Sequence, residues 1–165
     1  MDPELNLVLV GMPGCGKSRI GRIVAELLHR EFVDLDAEVV RAAGMPIPEI
    51  FAKFGEAHFR ELERIEAQKV AARKGLVIAT GGGTIVQPGA PDIFRATGKI
   101  CYLRRPLKLL QTAHGRPLSR DRAAVEKLYS ERREKYEAAA DFTVDNAAAT
   151  LEETAQKVVS AFRAF

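Results

Sequence analysis

The stretch Gly11-Met12-Pro13-Gly14-Cys15-Gly16-Lys17-Ser18 stands between a short apolar run and a segment with helical spacing. It fits G-x-x-x-x-G-K-[ST], the phosphate-binding loop, and no other feature restricts the chain's fold as strongly. Such a loop turns backbone N–H groups inward around an anion. Glycines permit this because side chains and restricted φ would fill the concavity. The helix that follows adds the positive end of its dipole. Lys17 is then the cation that reaches the outer phosphates, and the Ser18 hydroxyl is a ligand for Mg²⁺. The motif needs a strand before it and a helix after it, and both are written in the sequence, so the loop reads as a nucleoside triphosphate site.

The apolar run 5–10 is rich in valine and leucine and reads as a buried parallel strand. Further strands are expected at 32–36, 76–80, 99–103 and 142–144. Helices are expected over 18–30, 37–43, 48–54, 56–74, 91–96, 123–140 and 150–165, with another beyond Pro106 and a polar loop at 114–122. Strands alternating with helices imply right-handed crossovers and an α/β/α sandwich around a parallel sheet. Ligands in such sheets bind beyond the carboxyl ends of the strands. The loop at 11–18, the acids at 34 and 36 and the glycines at 81–83 all fall there.

The 165 residues are one domain's worth, with Lys+Arg 25 against Asp+Glu 22 and a net charge of +3. The charges are mixed along the chain, which argues against a nucleic-acid stripe and for small anionic substrates. Cys15 and Cys101 have neither metal-ligand spacing nor a disulfide framework. With no signal peptide before the first strand and no apolar run of membrane-spanning length, the expectation is a soluble cytoplasmic domain.

Several positions beyond the loop carry chemistry. In a strand, the alternation of Asp34-Leu35-Asp36 puts two carboxylates on one side, at the ligand-binding edge. Beside a triphosphate, one acid can hold magnesium and the other can orient an attacking hydroxyl. Asp36 also reads as an N-cap for the helix that begins at Ala37. Gly81-Gly82-Gly83 after a buried strand reads either as a sharp turn or as close backbone approach to a ligand. In a helix, Arg60 and Glu63 are i,i+3 neighbours, so the glutamate can fix the guanidinium, although such a spacing also suits a solvated pair. Cys15 is either a thiol activated by the helix N-terminus or the filler of a small-residue slot. His29, His58 and His114 read as surface or helix-end residues, and Phe94, Tyr102 and Phe142 as core.

The ordered set of motifs resembles that of the shikimate kinases across nearly the whole chain. GMPGCGKS is followed by DLD, IPEIFAKFGEAHFRELE, the GGG after LVIAT, GRPL, and Arg132 ahead of Tyr136-Glu137-x-Ala139-x-Asp141. The resemblance implies a single P-loop NTPase-type domain with a five-stranded parallel sheet. It adds a small helical substrate-binding subdomain over about 37–61 and a lid over about 112–123. It implies Mg²⁺- and ATP-dependent phosphorylation of shikimate by a monomer. Gly14, Cys15, Gly16, Lys17, Ser18, Arg19 and Arg116 would bind ATP, with Lys17, Asp36 and Arg116 catalytic. Ser18 and Asp34 would hold the metal. Asp36, Arg60, Gly82 and Arg132 would bind shikimate, supported by Glu63, Gly81 and Gly83. Where the family carries an arginine at the front of the lid, 107–113 has none, and Arg120 is the candidate replacement. Two other readings remain open at this level: a kinase of the same fold for another polyol acid such as gluconate, and a nucleotide-binding regulatory domain without catalysis.

Overall fold

A computed structural model describes residues 1–110, 121–147 and 150–165. Five strands, β1 (Asn6–Val10), β2 (Phe32–Asp34), β3 (Val77–Ala79), β4 (Gly98–Arg104) and β5 (Phe142–Asp145), form one sheet in the order β2-β3-β1-β4-β5. Every neighbouring pair is parallel. The central strand β1 is wholly buried, which is what its uninterrupted valine–leucine pattern requires of a strand covered on both faces.

The helices are α1 (Lys17–Leu28), α2 (Leu35–Ala43), α3 (Ile47–Phe54), α4 (Glu56–Ala71), α5 (Ala90–Arg95), α6 (Arg122–Ala139) and α7 (Leu151–Phe162). On one face α1 packs with α7, and on the other α4 packs with α5 while α5 and α6 lie on β4. The chain crosses leftward from β1 to β2 and later rightward from β3 to β4. The order of strands therefore reverses at the carboxyl end of β1, where α/β sheets hold ligands. A second, smaller apolar cluster of Val39, Ile50 and Phe59 joins α2, α3 and α4 apart from the main core.

Three sequence expectations are corrected. The second strand stops at Asp34, and residues 35–36 already belong to α2, because the Asp34 carboxylate caps that helix. The stretch after Pro106 forms only a 3₁₀ turn, Leu107–Leu109, before Leu110 reverts to extended backbone. Arg122 does not lie in a solvated loop. It opens α6, and its guanidinium donates to the carbonyls of Leu107 at 2.8 Å and Leu110 at 2.7 Å. Arg116, Arg120, His114 and all of the expected lid up to residue 120 lie outside the described residues.

Candidate active site

The loop after β1 is held from behind. Lys17, buried at the start of α1, donates from Nζ to the carbonyls of Gly11 at 2.7 Å and Met12 at 2.9 Å. Gly16 is the N-cap of α1 with φ 98°, a left-handed conformation that a residue with a Cβ adopts only under strain. The Cys15 side chain is 1% exposed, and a Cβ on Gly11 would come within 2.9 Å of its sulfur. Cys15 thus fills a tight slot. Gly14 and Arg19 are on the exposed side of the loop and of the first helical turn.

Asp34 ties this loop to the start of α2. Its Oδ2 accepts from the Ser18 hydroxyl at 2.9 Å, while Oδ1 accepts from the N–H of Asp36 at 3.0 Å and of Ala37 at 3.4 Å. One carboxylate therefore joins the start of α1 to the start of α2. The capping role that the sequence offered to Asp36 belongs to Asp34. The two acids share the site through the turn of a helix rather than through strand alternation.

Asp36 sits against the glycine triplet, and each of those glycines has its own neighbour. A Cβ on Gly81 would lie 2.7 Å from Asp36 Oδ1, and one on Gly82 would lie 2.5 Å from the Pro13 ring. A Cβ on Gly83 would overlap the Arg60 guanidinium. Real Cβ contacts do not come so near, so a side chain at Gly82 would collide with the proline ring, while one at Gly81 or Gly83 would have to displace the end of Asp36 or Arg60. Gly82 against Pro13 is where the phosphate loop touches the glycine triplet.

Arg60 and Glu63 form a real pair: Nη1 donates to Oε1 at 2.9 Å, with the arginine side chain 15% exposed and the glutamate 3%. The other oxygen of Glu63 accepts from the Thr84 hydroxyl at 2.8 Å. Burial pushes the Glu63 carboxyl above its usual range. The charge and hydrogen bond of Arg60 and the bond from Thr84 pull the other way, and the Asp36 charge adds to the rise. The guanidinium is also 3.7 Å from Glu56. Arg60 is thereby held in one orientation over the triplet by a rigid partner, as recognition of a planar anion requires.

Arg132 comes in from α6 and is buried. One turn further on, the fully buried Tyr136 donates its hydroxyl to the Gly82 carbonyl. Burial pushes the Tyr136 phenol far up, and Arg132 opposes that rise through its charge and a hydrogen bond. Arg132 thus reaches the triplet by way of the tyrosine whose spacing singled it out in the sequence.

A family model for shikimate kinase matches residues 13–163. The shikimate kinase of Caldanaerobacter subterraneus subsp. tengcongensis is 38% identical over 163 residues, 95% of each chain. The solved shikimate kinase of Acinetobacter baumannii, in complex with shikimate, superimposes with a TM-score of 0.92 at 34% identity, covering 98% of this chain and 94% of that one. The chain belongs to the shikimate kinase family. It is therefore a phosphotransferase, and the family's reaction is ATP-dependent phosphorylation of shikimate in the route to aromatic amino acids. A gluconokinase from Sinorhizobium meliloti 1021 is similar at TM-score 0.62 and 16% identity, covering 99% of this chain and 94% of that one, a likeness of fold alone. The gluconate reading and the non-catalytic reading both give way to the family assignment.

Two site residues escaped the sequence reading. Thr84 holds Glu63, and only the fold puts it there. Asn146, in a loop that looks featureless, is buried and donates from Nδ2 to the Cys15 carbonyl at 2.7 Å. The single signal for it was one amide side chain in an alanine-rich stretch right after β5.

Proposed function

We propose that this shikimate kinase works by positioning two ligands on either side of the Gly82–Pro13 contact. The nucleotide is held by the backbone N–H groups of Gly14, Cys15, Gly16, Lys17 and Ser18 and by the start of α1, with Arg19 at the rim. To reach the phosphates, Lys17 exchanges the carbonyls of Gly11 and Met12 for phosphoryl oxygens. Arg116 supplies a further charge from the lid. Phosphoryl transfer demands little covalent work from the protein, so these fixed donors carry the stabilisation of charge.

Ser18 and Asp34 fit Mg²⁺, because a hydroxyl and a carboxylate already 2.9 Å apart are the hard oxygens it prefers. No group of three or more His, Cys, Asp or Glu side chains among the described residues could form a metal cage. A site completed by phosphate and water suits Mg²⁺ well. The ion, when bound, neutralises charge on the phosphates.

On the acid side, the forks of Arg60 and Arg132 grip the shikimate carboxylate, and Glu63 with Thr84 keeps Arg60 from turning. The Gly82 N–H donates to a ring hydroxyl, with Gly81 and Gly83 leaving room for the close approach. Asp36 accepts the proton of the attacking hydroxyl or holds it in line. The observation that carries this reading is the glycine triplet with Asp36, Pro13 and Arg60 each against one of its members, so near that a Cβ on Gly81 would lie 2.7 Å from Asp36 Oδ1. The protein acts as a cytoplasmic monomer with a substrate-binding subdomain over 37–61, on the strength of the family's pattern.

Release of ADP coupled to NADH oxidation, measured with Mg²⁺, tests the reading. Turnover with shikimate and background rates with gluconate are expected. ADP release that does not depend on shikimate would overturn it.

A further inference from the structure

We infer that Asn146 is a positioning residue for the nucleotide, acting through the peptide between Cys15 and Gly16. The inference rests on the reading of the loop as the ATP site and adds to it the element that orients one of its donors.

Asn146 follows β5 directly, and its own backbone is fixed: its N–H donates to the Arg104 carbonyl at 2.7 Å, and its carbonyl accepts from Arg105 Nη1 at 2.8 Å. The side chain is 5% exposed. Nδ2 donates to the Cys15 carbonyl at 2.7 Å, and Oδ1 accepts from the Thr154 hydroxyl of α7 at 3.1 Å. A backbone carbonyl can only accept, so the amide nitrogen must face Cys15 and the oxygen must face Thr154. Both ends of the amide are satisfied inside the protein.

The consequence lies across the peptide plane. No peptide bond among the described residues is cis. In a trans peptide the C=O and the next N–H point in opposite directions. A Cys15 carbonyl held toward Asn146, behind the loop, turns the Gly16 N–H the other way, toward the phosphates. Gly16 needs this fixing more than its neighbours, since at φ 98° its flanking peptides have glycine's wide freedom to rotate. The fit is close as well: a Cβ on Gly16 would lie 2.9 Å from Asn146 Nδ2. Thr154, fully buried, sets the amide's orientation from the far side. The loop's geometry thus depends on a residue that is 131 positions away in sequence.

The test is titration of ADP and of shikimate, by calorimetry, into Asn146→Ala and Asn146→Asp, with KM for each substrate measured alongside. Losing a buried hydrogen bond of this kind is worth about tenfold in affinity, and the aspartate, which sets an acceptor against the Cys15 carbonyl, should lose more. The expected result is an ADP Kd and ATP KM raised about tenfold or more, with the shikimate Kd within about twofold of wild type. Thr154→Val, which leaves Asn146 in place but frees its amide, should weaken ADP by a few-fold, and Thr154→Ser should restore it. Should the Asn146 variants not fold, the Thr154 pair decides alone: an unchanged ADP Kd in Thr154→Val overturns the inference. Equal losses for ADP and shikimate, or an ADP Kd that does not move, overturn it as well. A wild-type protein that binds no ADP would instead overturn the nucleotide reading itself.

Discussion

The phosphate loop and the proposed acid pocket are built in opposite ways. The loop is a contiguous run of eight residues whose donors are backbone N–H groups and whose frame is the buried end of β1. The acid pocket is made of side chains from α2, α4 and α6 gathered around a glycine triplet, next to a cluster of only three buried apolar residues. Backbone donors in a core-anchored loop leave few side chains to change. A pocket of side chains on separate helices can be altered one contact at a time. The two meet at Gly82 and Pro13, and substitutions should therefore sort by the side they touch.

The largest expected effect is on the reacting hydroxyl. Asp36→Asn keeps the shape and does not disturb the helix cap, which is Asp34. It should lower kcat on the order of 10²-fold or more with a near-normal melting temperature. A kcat near wild type would remove Asp36 from the chemistry.

Next comes Gly82→Ala, which breaks the separation itself. The new Cβ would meet the Pro13 ring at 2.5 Å, and proline cannot yield without moving the phosphate loop. The variant should lose about 1–3 kcal/mol of stability and bind both ADP and shikimate more weakly. Damage to shikimate alone would show that the two sides are not in mechanical contact.

A smaller effect, with a definite pH sign, is expected of Glu63→Gln. The folded-state value of Glu63 lies above its ordinary 4.5, so its contribution to stability is complete below that pH and is lost as pH rises through the folded value. Melts of the variant should therefore gain on wild type as pH rises above the ordinary carboxyl value. The shikimate KM should rise a few-fold at the same time, because an amide holds Arg60 less firmly than a carboxylate. A variant that falls further behind wild type as pH rises would mean that the buried charge stabilises the fold.

The smallest effect belongs to the cysteines. Cys15 and Cys101 are buried, and burial also pushes the Cys101 thiol far up. Native protein should resist iodoacetamide for as long as it stays folded, whether or not ATP is present. Rapid labelling of Cys15 that ATP blocks would restore the idea of an activated thiol.

The contrast also explains what could be read from the sequence. The loop and all five strands are local patterns, and each was visible: eight residues of motif, and short runs rich in valine, leucine, isoleucine and phenylalanine. Arg60 with Glu63 was visible because three residues along a helix is one turn. Thr84 and Asn146 were not, since each acts on a partner brought near only by the fold, Thr84 across 21 positions and Asn146 across 131. The acids at 34 and 36 were legible as a pair, but their geometry was not. Asp34 both ends a strand and caps a helix, and the cap prevails because it satisfies two N–H groups that would otherwise lack partners. Arg122 was misread because a basic side chain at a loop's end carries no local sign that two carbonyls await it.

If the nucleotide and the acid are held by separately built halves, Arg60 belongs to the second. Calorimetric titration of Arg60→Lys with shikimate and, separately, with ADP decides this. Lysine keeps the charge and loses the planar fork. The shikimate Kd should rise about tenfold or more while the ADP Kd stays within about twofold. Equal weakening of both ligands, or an unchanged shikimate Kd, would contradict the claim.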